Sequence, residues 1–308
     1  MKKTIRQYYN GNVKVTIDLA TGTKVRQTTD DEFQPVFAEC CDIHISDRCD
    51  NGCEFCYAGC TADGKVGDIL SWSFLDTLHP WTEIAINLQD PMPNDIWIFL
   101  KKMKDKQVIV NVTVNQRHFM RKHFRKCLLD MKEKGLIFGI GISLVEPTDE
   151  FIEIVKSVDD IVIHVINGIV TTEQLAKLAH KGLKVLILGY KNIGRGIKYV
   201  QDLENKKLVR NRKGFLYWNI KFILRENWFD VIAFDNLALE QLNLKRFLSD
   251  EEWQSFYQGD DGTSTFFINL VDGTFGKNSL CTRQERYPIG NKSIDEMFKE
   301  VKKWKSIS

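Results

Sequence analysis

Six short runs of aliphatic and β-branched residues, at 42–46, 83–88, 108–114, 137–144, 161–166 and 184–189, constrain this chain more than any other feature. Several are apolar almost throughout, the pattern of parallel strands covered by helices. The segments between them repeat apolar residues at helical spacing. Ile96, Phe99, Leu100 and Met103 follow Asn94 as N-cap, and Phe124, Cys127, Leu128 and Met131 precede Gly135 as a stop signal. Leu175, Leu178 and Ala179 lie between a Thr171–Gln174 capping box and Gly182. Strand–helix alternation of this kind predicts an α/β fold with a parallel sheet. Periodicity alone fits an open sheet and a barrel equally well.

The flanks are less regular. Residues 11–18 and 21–25 read as a β-hairpin, with alternation from Val13 to Ile17 giving one face to bury. Beyond residue 190, the basic stretch 206–213 reads as a solvated helix end or loop, and 229–235 as a seventh strand. Residues 265–270 and 274–275 read as a hairpin around Asp272-Gly273. A helix over 293–304 places Ile294, Met297, Phe298 and Val301 on one face. The expected organisation is an N-terminal extension over 1–37, an α/β core over 38–240 and a C-terminal extension over 241–308.

Composition narrows the class. Hydrophobic residues at 43% and charged residues at 27% suit an ordinary globular protein. With 43 Lys and Arg against 41 Asp and Glu, no global field recruits nucleic acid or a membrane surface. Lys2, Lys3 and Arg6 are not followed by an apolar core, so no signal peptide is expected. No apolar run approaches the roughly 20 residues that span a bilayer. The expected compartment is a reducing cytoplasm. There, eight cysteines at 40, 41, 49, 53, 56, 60, 127 and 281, six of them within 21 residues, point to metal or redox chemistry rather than disulfides.

Directly after the first strand run come Cys49, Cys53 and Cys56, at x3 and x2 spacing. Three thiolates can bind three irons of a [4Fe–4S] cubane and leave the fourth iron open for a cofactor. The competing reading is a zinc site, with Cys53-x2-Cys56 as one pair and Cys49 or Cys60 added. A loop that follows a strand and opens an α/β series favours the cluster. The spacing, with aromatic Phe55 before the third cysteine, resembles the signature of the radical S-adenosylmethionine (SAM) superfamily.

That resemblance covers roughly residues 38 to 240 and implies a partial (β/α)6 TIM-like barrel. It implies a [4Fe–4S] cluster on Cys49, Cys53 and Cys56, and SAM chelated to the open iron. Reductive cleavage would then give methionine and a 5′-deoxyadenosyl radical that abstracts hydrogen from substrate. A reducing partner such as flavodoxin or ferredoxin is implied as well.

The cofactor contacts implied by the resemblance are Phe55, Tyr57, Asp90, Asn115, Ser143 and Arg195. Leu88-Gln89-Asp90-Pro91 stands where the family has a Gly-Gly-Glu-Pro run that holds the SAM amino group. The proline matches, Asp90 takes the carboxylate position, and both glycines are replaced. Thr113-Val114-Asn115-Gln116 is similar to a Thr-Asn-Gly-like segment, Ser143 matches a ribose-contacting position, and Arg195 is placed to pair with the SAM carboxylate. Each of these residues also fits ordinary strand-end capping. Their position at successive C-terminal strand ends, where α/β barrels build sites, is what makes them a set.

Of the other cysteines, Cys41 and Cys127 read as core, and Cys60 as a neighbour of the loop whose ligation would block SAM. The stretch from Asp272 through Cys281 to Phe298 resembles the tail of peptide-modifying members that carry auxiliary clusters. It keeps one cysteine where those need several. A peptide or protein is therefore the leading substrate class. A tRNA or other nucleic acid rests on the basic residues of 117–126 and 206–213, and a non-catalytic Fe–S or zinc protein is the alternative from another class.

Overall fold

The computed structural model describes residues 4–257 and 259–303. Lys2, Lys3 and Trp304, the expected end of the last helix, lie outside the described residues. Strands β1 (Ile5–Asn10), β2 (Val13–Asp18) and β3 (Lys24–Gln27) form a separate antiparallel sheet in that order. The expected hairpin is present as β2 and β3, and β1 adds a strand before it. Val13, Val15 and Ile17 are buried on one face, as their alternation requires. Gly11 makes the β1–β2 turn at φ +64°, and a Cβ there would meet the Gln34 carbonyl oxygen at 2.1 Å.

The main sheet has ten strands. In chain order they are β4 (Cys40–His44), β5 (Glu83–Asn87), β6 (Ile109–Asn115), β7 (Ile140–Ser143), β8 (Ile161–Ile166), β9 (Lys184–Leu188), β10 (Val231–Phe234), β11 (Thr265–Asn269), β12 (Thr274–Gly276) and β13 (Tyr287–Pro288). Strands β4 to β10 pair in parallel in sequence order. On the other side β11 joins β4, also parallel, and β12 and β13 continue the edge antiparallel.

The order ends in β10 and β13, which do not pair among the described residues, so the sheet is open and no closed barrel forms. The expected parallel sheet is present with strands added at both edges of the six core runs. The seventh run, β10, extends one edge, and the apolar run of β11 extends the other. Registers from Thr265↔Cys40 to Asn269↔His44 build the C-terminal extension into the sheet itself, beside the strand that leads to the cysteines.

The two faces differ. Ile84, Ile86, Val110, Val112, Val114, Ile140, Ile142, Ile163, Val165, Val185 and Ile187 are all 2% exposed or less. They form one contiguous core with Phe99, Leu100, Phe124, Leu128, Phe151 and Leu175 of the covering helices. Each such side chain contributes roughly 1.5–3 kcal/mol on burial. The alternate positions include Asn87, Asn111, Thr113, Asn115, Ser143 and His164, and these are only half-buried. The strands are thus apolar on the helix side and mixed on the other, where Val162, Ile166, Leu186 and Leu188 of β8 and β9 stand among the polar residues.

Local signals differ from the expectations in three places. The helix Ile96–Asp105 has Asp95, not Asn94, at its N-cap, with no side-chain capping bond. Cys127 is exposed, because the helix Lys122–Glu133 buries only the narrower stripe of Phe124, Leu128 and Met131. The basic stretch 206–213 lies within a 23-residue helix, Leu203–Arg225, anchored by Val209, Leu216, Ile220 and Ile223, which recur on one face at whole-turn intervals. The Thr171–Gln174 capping box is present, and Cys41 is buried in the core. The last helix, Ile294–Lys303, buries Ile294, Met297, Phe298 and Val301. No helix among the described residues is long and apolar enough to cross a membrane.

Candidate functional site

The cysteines sit on an excursion that leaves the C-terminal end of β4 and returns to it. Its stem is closed by backbone hydrogen bonds: Asp47 N–H to Lys65 O at 2.8 Å, Cys49 N–H to Thr61 O at 2.7 Å and Thr61 N–H to Asp47 O at 3.0 Å. At its root, the Asn87 side chain at the end of β5 accepts from Ile45 N–H and donates to the Ser46 carbonyl, both at 2.8 Å. The tip turns through Gly52 and Gly59 at positive φ. Cys49, Cys53 and Cys56 are free and half-buried there.

Two strand ends, separated in the sheet by β7 and β8, grip the tip. After β9, the Arg195 guanidinium donates from Nε to Cys53 O at 2.9 Å and from Nη1 to Cys60 O at 2.8 Å. Its backbone N–H donates to Cys56 O at 3.0 Å. Gly194 permits this approach, because a Cβ at its φ of +57° would stand 2.2 Å from the Tyr57 carbonyl oxygen. After β6, the Arg117 guanidinium donates to Asn51 O at 3.0 Å, and Asn51 in turn donates to the Cys49 sulfur at 3.4 Å. Asp50 pairs with His118 at 2.6 Å and with Arg121 at 2.7 Å. Those two partners hold its carboxyl below the usual range, the His118 hydrogen bond most.

The six residues expected to contact the cofactor differ in what engages them. Asn115 lies against the loop, its amide 4.0 Å from the Cys53 sulfur, while its side-chain oxygen caps the helix Gln116–Phe119. Phe55 packs edge-on to Tyr199, and Tyr57 lies under the Lys191 ammonium at 4.1 Å. Ser143 ends β7 in register with Asn115, on the half-buried face. Arg195 is beside the cysteines, with two of its donors committed to loop carbonyls. The Asp90 carboxylate is also committed, to Arg121 at 3.0 Å and His123 at 2.8 Å.

Thiol chemistry at the tip is uneven. Burial raises the Cys53 thiol, with Cys56 and Cys49 adding to the effect. The Cys60 side chain hydrogen-bonds Cys56 and lowers it, and that same contact raises Cys60. Cys60 also belongs to the one His/Cys/Asp/Glu trio among the described residues whose ligand atoms lie within 4.8 Å, with His44 and Asp47. The His44 Nε2–Asp47 Oδ1 separation of 2.5 Å marks a hydrogen-bonded pair, closer than two ligands of one ion would sit.

A cavity of about 280 Å3 opens beside Tyr57 and Gly194, lined from the C-terminal extension by Asn269, Asp272, Arg283 and Arg286. A larger one of about 570 Å3, bounded by Asn236, Trp253, Tyr257 and Asp261, shares no residue with the cysteine loop.

Asn87, His118, Arg121 and Gly194 were not singled out from the sequence. Gly194, beside Arg195 in a glycine-rich run, carried a usable signal. His118 and Arg121 lie 68 and 71 residues from Asp50, and no local pattern joins them.

No protein-family model and no curated protein sequence matches the chain. Among solved structures, Streptococcus suis SuiB bound to S-adenosylmethionine is similar, with a TM-score of 0.62 and 11% identity over 98% of this chain and 90% of SuiB. A second SuiB structure gives 0.60 and 11% over the same shares. At that identity the likeness establishes the fold, a mixed α/β architecture with a large parallel sheet.

Proposed function

We propose that the chain is a radical SAM enzyme whose Cys49, Cys53 and Cys56 hold one [4Fe–4S] cluster with an iron left open for SAM. The observation that carries this reading is the cysteine tip itself: three half-buried thiols at cubane spacing, gripped by the ends of β6 and β9. A single zinc ion would draw its thiolates within about 4 Å of one another at Zn–S distances near 2.3 Å. Cys49, Cys53 and Cys56 are not so gathered, whereas a cubane spreads its ligands wider. The similar SuiB structure has SAM bound, which supports the same cofactor here.

When bound, the cluster would supply the electron that splits the SAM sulfonium and yields the hydrogen-abstracting radical. The protein's own residues do the holding. Arg195 and Asn87 fix the loop, Asn115 sits against Cys53, and Ser143 is exposed enough on the half-buried face to meet a ribose hydroxyl. A peptide or protein is the proposed substrate class. The C-terminal extension lines the cavity beside Tyr57, so a polypeptide bound there would lie next to the cysteine loop. The experiment is 5′-deoxyadenosine formation by anaerobically reconstituted protein with dithionite and SAM. Product in the parent and none in Cys53→Ala supports the reading. Full iron loading without product favours the second reading, a non-catalytic Fe–S protein, which the engagement of Asp90 with Arg121 and His123 makes worth testing.

A further inference from the structure

The cavity of about 280 Å3 beside Tyr57 has more positive than negative charge in its wall. Arg283 and Arg286 both line it, and the carboxylate they share is Asp272, 3.2 Å from Arg283 Nη2 and 3.9 Å from Arg286 Nη1. Asp47, the other acid of the wall, is taken by His44. The Arg286 guanidinium is fixed in place. Its Nε donates to Cys281 O at 3.1 Å and its Nη2 to Ser279 O at 3.4 Å, and it lies over the Phe267 ring at 5.0 Å. Those contacts leave Nη1 facing Asp272 at a distance too long for a hydrogen bond. The side chain is only 11% exposed, so a charge largely withdrawn from water has one distant counter-charge. Arg283 is 82% exposed and commits only Nη2 to Asp272 among the described residues. Two guanidinium groups in one cavity thus share one carboxylate, and each keeps an N–H edge unused.

We propose that this cavity receives a carboxylate of a peptide substrate, an Asp or Glu side chain, held by Arg286 Nη1 and the unused edge of Arg283. This names the substrate class of the site read above and rests on that reading. A carboxylate is the partner that guanidinium groups bind most directly, and a second anion would balance the second arginine. The volume suits a single acidic side chain with its backbone, being below the roughly 300–1,000 Å3 of most small-molecule sites. A nucleic acid fits less well. Asp272 and Asp47 stand in the wall and repel a run of phosphates, and the whole chain carries a net charge of only +2. The cavity also borders Tyr57 and Gly194, where the β9 grip meets the cysteine loop. An acidic residue anchored there leaves its neighbours in the peptide beside that loop.

The test uses the reconstituted full chain and three probes in equilibrium dialysis. Two are end-capped pentapeptides of glycine and serine, one with a central glutamate and one with glutamine in its place. The third is a 5′-phosphorylated oligothymidine. The glutamate probe should bind at least about tenfold more tightly than the glutamine probe, as charge-assisted hydrogen bonds require. Arg283→Gln and Arg286→Gln should each bring the two peptides within about threefold of one another. Arg286→Gln also removes the bonds to Ser279 and Cys281, so a melting curve accompanies it, and exposed Arg283→Gln repeats the test without that cost. Equal binding of the two peptides by the parent, or binding of neither, overturns the proposal. A glutamate preference that survives in Arg283→Gln and in folded Arg286→Gln overturns it as well, and so does tighter binding of the oligothymidine than of the glutamate probe. SAM binding is measured on the same samples. A parent that prefers glutamate and binds no SAM keeps the carboxylate site but overturns its place in a radical SAM reaction, which separates the two failures.

Discussion

The cysteine loop is held from two sides by different physics. On the β9 side, half-buried Arg195 donates to the carbonyls of Cys53 and Cys60, and Gly194 lies in backbone contact with Tyr57. On the β5–β6 side, Asp50, Asp90, His118, Arg121 and His123 form a charged network whose Asp50, Arg121 and His123 side chains are 45%, 35% and 71% exposed. The first grip depends on shape and on hydrogen bonds to neutral acceptors. The second depends on charge: His118 is buried and Asp90 is 15% exposed, but Asp50, Arg121 and His123 meet water, where ion pairs are screened and contribute little each. The β9 side therefore holds the loop backbone, and the β6 side also reaches the sulfurs, through Asn51 to Cys49 and Asn115 to Cys53.

The largest expected effect comes from breaking the β9 grip. Gly194→Val puts a branched side chain at positive φ against the Tyr57 backbone and should cost about 2–4 kcal/mol. Arg195→Ala leaves the Cys53 and Cys60 carbonyls unpaired and should cost about 2–3 kcal/mol. Both variants should lose iron on reconstitution, read as iron per chain beside a melting curve. If either kept parental stability and iron, the grip would lie elsewhere.

The charged side should respond more weakly. Asp50→Asn should cost less than about 1 kcal/mol near neutral pH, because the side chain is nearly half exposed. Its folded pKa is lowered, so the contribution is complete above the unfolded value near 3.9 and fades as pH falls through the lower folded value. The gap in melting temperature between parent and Asp50→Asn should therefore persist down to about pH 4 and close below it. It should also narrow in high salt. A gap as large as that of Arg195→Ala would erase the distinction between the two sides.

Much of the fold was legible because its signals are local. The six strand runs, the Thr171–Gln174 capping box and the apolar face of the last helix each lie within a few turns of chain. The openness of the sheet was not. It depends on β11 pairing with β4 across more than two hundred residues, and on β10 ending the other edge. The site divides in the same way. Cys49, Cys53 and Cys56 announce themselves by spacing, and Arg195 was reached only through the resemblance, as a partner for the SAM carboxylate rather than for loop carbonyls. Asn87, His118 and Arg121 are ordinary polar residues until the sheet brings their strand ends together. Asp90 shows the limit of motif matching: its position follows a pattern, but its carboxylate answers to Arg121 and His123, which the pattern does not contain.

The most direct test of the central claim is the iron content and electron paramagnetic resonance of anaerobically reconstituted, dithionite-reduced protein, with and without SAM. One cluster on three cysteines predicts about four irons per chain and a reduced-cluster signal whose g-values shift when SAM is added, both lost in Cys53→Ala. About eight irons per chain, one tightly held zinc, or a signal indifferent to SAM would contradict it.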